Sequence, residues 1–253
     1  MILVVLPAYN EEAALGPLLV RLARLEGQLR LALSVLVVDD GSTDDTAGAA
    51  ARAPLPVMIV RHPVNRGLGE AIKTGLLAAV ERADDEDVIV LMDADDTHSP
   101  ALIQRMVDRI EEGSDVVIAS RYLPESRVAG LSAWRRFLSA GASWVFRIAC
   151  PVPGVKDYTC GYRAYRALVL RDAIGRWGAD FVSEPGFTCN VDILLKLSAL
   201  GAVFAEVPLI LRYDRKPGAS KMAVGRTTRQ TLALLLRHRF GGRRAAAPRT
   251  SAP

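Results

Sequence analysis

Short apolar runs alternate with amphipathic stretches through the first half of the chain. Ile2–Leu6, Val35–Val38, Val57–Val60, Val88–Met92 and Val116–Ala119 are rich in β-branched residues and read as buried strands. Between them Glu11–Leu25, Thr43–Ala53, Gly67–Ala83 and Pro100–Glu112 read as helices. Leu15, Leu18, Leu19, Leu22 and Leu25 share one face of the first, and Ile72, Leu76, Leu77 and Val80 one face of the third. Such strands separated by such helices predict βαβ units and an α/β protein with a mostly parallel central sheet flanked by helices. Beyond Arg121 the rhythm changes. Leu131–Ala149 is a predicted helix with Trp134, Phe137, Leu138, Val145 and Ile148 on one side. Tyr162–Leu170 reads as a strand passing into a helix, Val191–Leu200 as a helix and Val203–Leu211 as one strand. Met222–Phe240 is a predicted amphipathic helix, and Gly241–Pro253, mostly Gly, Ala, Arg and Pro, a disordered tail.

Polar clusters follow the predicted strands: Tyr9-Asn10-Glu11, Asp39-Asp40, Asn65-Arg66-Gly67 and Asp93-Ala94-Asp95. Ligands of parallel sheets bind beyond the carboxyl ends of the strands, where these clusters fall. Asp93 and Asp95 put two carboxylates at one strand end. That is costly unless a cation or hydrogen bonds compensate, and hard divalent cations take carboxylate oxygens. A solvated turn capping the helix after Pro100 is the other reading. Asp39 and Asp40 can accept from a nucleobase N–H or a ribose hydroxyl. Ser42 or Thr43 can cap the following helix and Asp44 and Asp45 complement its N-terminal dipole, which gives Ser42, Asp44 and Asp45 a structural role. No Walker A sequence and no GxGxxG follows the first strand, which argues against an ordinary ATPase or a Rossmann dehydrogenase.

Composition narrows this further. Half of the 253 residues are hydrophobic and 24% are charged, enough for a packed core. Three cysteines without CxxC spacing exclude a disulfide scaffold and a four-cysteine zinc site, and fit a reducing compartment. No signal peptide precedes Ile2, and no apolar stretch approaches a membrane span. Charge is divided: residues 1–126 carry 11 basic and 21 acidic side chains, a net −10, and residues 127–253 carry 21 and 7, a net +14. The first half is suited to a cation and the second to anions. No aromatic-basic motif or zinc finger points to nucleic acid, and the acidic first half opposes it.

Pro7-Ala8-Tyr9-Asn10-Glu11, Asp39-Asp40-Gly41-Ser42-Thr43-Asp44, Asn65-Arg66-Gly67 and Asp93-Ala94-Asp95, in this order, resemble a family 2 glycosyltransferase of the GT-A fold. Ala119-Ser120-Arg121-Tyr122, Asp157–Tyr165, and Glu206-Val207-Pro208 followed by Arg215–Lys221 resemble its polyprenyl-phosphate members, the dolichol-phosphate mannosyltransferase group. The resemblance implies a single catalytic domain over 1–221. Its nucleotide-sugar half is 1–126 and its acceptor half 127–221, with a helix at 222–240 and a tail at 241–253.

The activity it implies is inverting transfer of a hexose from a nucleotide-diphosphate sugar to polyprenyl phosphate. Asp93 and Asp95 would hold Mg2+ or Mn2+, and Pro7, Tyr9, Asn10, Glu11, Asp39, Asp40, Arg66 and Ala94 would line the donor site. Arg121, Arg163, Arg215 and Lys221 would bind phosphate, and Asp95 with the three arginines would act in catalysis. The implied place is the cytoplasm, at the membrane's cytoplasmic face, bound directly or through a membrane-anchored partner.

Alternatives keep the donor and change the acceptor to a soluble or lipid alcohol or a glycan, or read the chain as a non-catalytic nucleotide-sugar-binding partner. A hydroxyl acceptor needs a base, for which Asp192 or Glu184 is the candidate. Where the group reads Asp-Ala-Asp-Leu-Gln-His-x-Pro, this chain has Asp93-Ala94-Asp95-Asp96-Thr97-His98-Ser99-Pro100. Thr97 is shorter than the metal-assisting Gln, which leaves water or Asp96 to complete the metal shell. Asp192 stands where the group has Glu.

Overall fold

Ile2–Ala8 (β1) is buried along all seven residues. A strand apolar on both faces needs cover on both faces, so β1 lies near the middle of the sheet. In the computed structural model, which describes residues 1–129, 141 and 146–212, β1 pairs in parallel with Leu33–Asp39 (β2) on one side and Val88–Leu91 (β4) on the other. Val57–Arg61 (β3) extends the parallel array beyond β2 and forms one edge. Arg127–Ala129 (β6) lies outside this sheet. Arg163–Arg166 (β7) runs antiparallel between β4 and Val116–Ser120 (β5), and Phe204–Pro208 (β8) pairs in parallel with β5 at the far edge. The order is β3-β2-β1-β4-β7-β5-β8. Strands from both charge halves therefore share one sheet, an α/β GT-A-like arrangement.

The helices are Glu12–Glu26 (α1), Thr46–Ala51 (α2), Leu68–Val80 (α3), Leu102–Glu111 (α4), Ala167–Trp177 (α5) and Cys189–Ala199 (α6). Apolar stripes of these helices join the core: Leu15, Leu18, Leu19 and Leu22 from α1, and Leu102, Ile103, Met106, Val107 and Ile110 from α4. Burying each such side chain is worth about 1.5–3 kcal/mol, and this common core fixes the strand ends that carry the polar loops. Pro7 sits past the end of β4, which stops opposite Val5, so its missing N–H removes no bond to that strand.

Two expectations change in the second half. Val203–Leu211 is not one strand. It divides into β8 and Ile210–Arg212 (β9), which pairs with β6 as a separate two-stranded parallel sheet. Leu209 is the turning point: its N–H bonds to the Ser120 carbonyl at 2.9 Å and its carbonyl accepts from the Arg127 N–H at 2.9 Å. Of the helix expected over Leu131–Ala149, the described residues include a helical turn at 146–149. There Phe146 is fully buried and stacks on Tyr158, whereas Ile148, expected on the same apolar side, is 60% exposed. Met222–Phe240, the tail 241–253, Arg215 and Lys221 lie outside the described residues.

Candidate active site

β2, β1 and β4 are neighbours, so the loops after them converge at one end of the sheet. The first two are laced together. The Asn10 N–H donates to Ser42 Oγ at 3.0 Å, and Asn10 Oδ1 accepts the Thr43 N–H at 2.8 Å. The Glu11 N–H donates to Thr46 Oγ1 and the Glu12 N–H to Asp44 Oδ2. Asp44 also accepts the Thr46 N–H from one residue before the N-cap Asp45, whose own side chain makes no capping bond. Burial pushes the Asp44 carboxyl up, but hydrogen bonds from the Thr46 side chain and the Glu12 and Thr46 amides outweigh it and hold it below the usual range. Ser42 is not a cap; its hydroxyl serves Asn10. A groove of about 540 Å³ opens beside these loops, among Glu11, Glu12, Asp44 and Arg52, and its lining includes none of Asp39, Asp93 and Asp95.

At the end of β2 the two carboxylates part. Asp39 is fully buried, with Oδ1 accepting the Ser42 N–H at 2.9 Å and Oδ2 3.1 Å from Arg61 Nε. Asp40 turns to the loop after β3. Its Oδ1 meets His62 Nδ1 at 2.7 Å and the Arg66 N–H at 2.9 Å, and its Oδ2 takes the Gly67 N–H at 2.8 Å. The expectation that Asp40 contacts a nucleotide is corrected: both oxygens bind the protein's own donors, and the residue is 2% exposed. Gly41 shows how close these loops lie. It has φ of 69°, and a Cβ there would stand 2.3 Å from the Val64 carbonyl carbon. The Arg66 guanidinium pairs with Glu70 on the surface.

The loop after β4 differs. The Asp93 side chain is 35% exposed, and its N–H donates to His98 Nδ1 at 3.3 Å. His98 is buried and stacks on Tyr162 at 4.9 Å, which braces the loop from beneath. Asp95 is 8% exposed, and its Oδ1 accepts both the N–H and the hydroxyl of Thr97, at 3.1 and 2.7 Å. Thr97 thus orients Asp95. Asp96, at φ of 63°, pairs with Arg21 of α1, which corrects its expected place in a metal shell. Among the described residues no three His, Cys, Asp or Glu side chains converge as a metal cluster. Two carboxylates at one strand end fit a hard cation that draws its other ligands from a diphosphate and water.

The Asp157–Arg163 motif is turned inward. Asp157, fully buried, takes Arg121 Nε and Nη2 at 2.7 and 2.6 Å and the Arg121, Thr159 and Cys160 amides. Burial pushes its carboxyl up, but the Arg121 guanidinium and these donors hold it well below the usual range. Arg163 is also fully buried, and donates to the carbonyls of Cys160, Asn190 and Tyr158 at 2.8, 2.6 and 2.9 Å. Phosphate binding by Arg163 is therefore corrected, since its fork is occupied within the protein; Arg121 gives Nε and Nη2 to Asp157 and Thr159 and keeps its side chain 19% exposed. Cys160 and Cys189 are pushed up to about 12, chiefly by burial, and are not nucleophiles.

Near α6, Asp192 Oδ2 accepts from the Ser183 N–H and hydroxyl and from Lys196 Nζ, which commits it as a structural acceptor. Glu184 is the other candidate base. Its segment packs on the start of α3, where a Cβ on Gly69 would come 2.6 Å from the Glu184 carbonyl oxygen. His62 carries no motif in the sequence, and Glu206, of the motif Glu206-Val207-Pro208, accepts the Lys156 and Asp157 amides with its Oε1.

The family model of glycosyl transferase family 2 matches residues 3–172, two thirds of the chain, including the loops after β1, β2, β3 and β4. The chain belongs to glycosyl transferase family 2. The polyprenol monophosphomannose synthase of Mycolicibacterium smegmatis is 33% identical over 226 residues, covering 87% of this glycosyltransferase and 80% of that enzyme. The undecaprenyl-phosphate mannosyltransferase of Micrococcus luteus is 35% identical over 230 residues, 88% of each chain. Among solved structures, glucosyl-3-phosphoglycerate synthase of Mycobacterium tuberculosis, in complex with Mn2+, UDP and glucosyl-3-phosphoglycerate, superposes with TM-score 0.65. It is 25% identical and covers 94% of this glycosyltransferase and 80% of that chain. A complex of the same synthase with Mn2+, UDP-glucose and phosphoglyceric acid has TM-score 0.63 and 25% identity, over 93% and 78% of the two chains.

This chain is a metal-dependent glycosyltransferase, and its cofactor is Mg2+ or Mn2+. The narrower resemblance is corrected by the structural matches. The chain is related both to the mannosyltransferase group and to a synthase crystallised with a soluble phosphorylated acid, so its motifs do not single out the dolichol-phosphate group. The polyprenyl-phosphate acceptor, the inversion tied to it, the membrane-anchored partner and the peripheral membrane location do not stand. No helix among the described residues is long and apolar enough to cross a membrane.

Proposed function

We propose that this glycosyltransferase moves a sugar from a nucleotide-diphosphate donor to a hydroxyl of a soluble, anionic acceptor. The observation that carries the reading is the match, over 94% of the chain, to a synthase holding glucosyl-3-phosphoglycerate beside UDP and Mn2+. The net +14 of residues 127–253 supports an anionic acceptor. The catalytic domain is proposed to run over 1–221, with both halves contributing to one sheet.

On this reading Asp93 and Asp95 are the side chains that hold the cation, which when bound neutralises charge on the departing diphosphate. Thr97 fixes the Asp95 carboxylate and His98 the Asp93 backbone, so the ligands need little reorganisation. Asp39, buried against the Ser42 amide and Arg61, stands on the other side of β1 and anchors the laced loops of Tyr9, Asn10 and Glu11 that line the donor side. As the acceptor oxygen bonds to the anomeric carbon, the bond to the diphosphate breaks and the nucleotide leaves with its electron pair. The hydroxyl proton passes to Glu184, the candidate base whose segment packs on the start of α3.

The test incubates the full chain with Mn2+, a panel of UDP- and GDP-sugars and small phosphorylated hydroxy acids, and reads glycosylated product by mass spectrometry. Product from a soluble acceptor, lost in Glu184→Gln, is expected. Donor hydrolysis without any soluble product overturns the acceptor reading.

A further inference from the structure

We infer that His62 is a positioning residue for the donor site, a deepening that rests on the nucleotide-sugar reading above. The imidazole is 5% exposed and bridges three elements. Nδ1 lies 2.7 Å from Asp40 Oδ1 after β2, and Nε2 lies 2.9 Å from Thr74 Oγ1 on α3. An ionised Asp40 can only accept, so Nδ1 carries the proton and the Thr74 hydroxyl donates to Nε2. The His62 N–H also donates to the Asp39 carbonyl at 2.9 Å.

This chain of bonds fixes how Asp40 can turn. Rotated as it is, Asp40 gathers the Arg66 and Gly67 amides, one on each oxygen, and sets the loop after β3. Gly67, at φ of 90°, is the residue where that loop turns into α3. Asp39 is the next residue before Asp40 and its carbonyl takes the His62 N–H, so the same lock sets the backbone of the loop after β2 that is laced to Asn10 and Glu11. Without a donor at Nδ1 the carboxylate loses its lateral support and can no longer grip both amides at once. His62 thereby acts on the donor through Asp40 and the loops, without touching it.

Four variants test this in the full chain: His62→Leu, His62→Asn, His62→Gln and Thr74→Val. Asn places an amide donor near the position of Nδ1, and Gln near that of Nε2. Two readouts are taken: amide exchange at Arg66 and Gly67 by NMR without ligand, and affinity for UDP with Mn2+ by calorimetry. His62→Leu is expected to lose protection at both amides and to weaken UDP binding about tenfold, the scale of one hydrogen bond to a charged group. The KM for the donor should rise with it while kcat at saturating donor stays within about twofold. His62→Asn should recover most of both, His62→Gln little, and Thr74→Val should fall between. If His62→Leu does not fold, the Asn and Gln variants carry the comparison. Unchanged exchange at Arg66 and Gly67, equal behaviour of Asn and Gln, or a fall in kcat with unchanged donor KM overturns the inference. If wild type binds no nucleotide, the donor reading fails, and the exchange data still decide whether His62 sets the grip of Asp40.

Discussion

Two charged segments meet at the carboxyl end of β4. One is the loop 93–98 that leaves it, and the other is the stretch 157–163 that leads into its antiparallel neighbour β7. Both are rich in groups that could bind a ligand, and both fall on motifs of the family. In the first, a carboxylate stands at the surface of a buried strand with its side chain 35% exposed, braced through its backbone. In the second, Asp157 and Arg163 have no exposure and every strong donor is directed at the protein's own oxygens. Buried charge that is paired stabilises one arrangement of the chain; charge left at the rim of a rigid sheet is available to a substrate. A motif marks both kinds alike.

The comparison is broken most directly at Arg163. Arg163→Met leaves three buried carbonyls without their donor, and unfolding free energy should fall by about 3 kcal/mol or more. Arg163→Lys should also lose stability, with the rate per folded molecule close to wild type. Urea unfolding read beside activity checks this, and a stable Arg163→Lys enzyme with a large rate loss would return Arg163 to the substrate.

Asp93→Ala should do the reverse. Transfer should fall by at least ~100-fold, about 2.7 kcal/mol in the barrier, while the melting temperature stays at the wild-type value. Weaker Mn2+-dependent UDP binding should accompany it. Full activity of the variant would make 93–98 another structural loop.

The smallest effect is in pH. Asp157 has a lowered folded pKa, so its contribution is present above the ordinary carboxylate range of about 4 and is lost as pH falls through the lower folded value. Glu206 beside it runs the other way: burial raises its pKa, so its contribution belongs to acid conditions and is lost as pH rises through the raised value. Stability measured from pH 7 down to about 2 should drop less steeply in Asp157→Asn, from a lower starting value, than in wild type.

Much of the fold is legible in the sequence because β1–β5 and α1–α4 follow from local pattern. Strands buried on both faces read as apolar runs, and α4 shows its core face in Leu102, Ile103, Met106, Val107 and Ile110. The break at Leu209 is not local, since it depends on bonds to Ser120 and Arg127 far away in sequence. The site follows the same division. Asp93 and Asp95 stand out because strand position and residue type coincide. Asp39 and Asp40 look equivalent, and only the fold shows that one faces Ser42 and Arg61 while the other faces His62 and the β3 loop. Arg163 looks like a phosphate fork in the sequence because a side chain's depth is a tertiary property. The motifs of the second half do not fix the acceptor, because the chain is similar both to a polyprenol monophosphomannose synthase and to a glucosyl-3-phosphoglycerate synthase.

The antiparallel β7 between β4 and β5 has a consequence for synthesis. β4 bonds on one side to β1, but its other neighbour is β7, encoded well after β5. At about 5–20 residues per second, a ribosome leaves the β4 edge open for several seconds. During that interval the nascent chain presents Val88–Leu91 as an apolar edge ready to pair with any extended segment, a hazard for aggregation. Expression yield should therefore respond to translation speed between Leu91 and Arg163, and a fragment ending at Ser120 should be sticky where the longer chain is not.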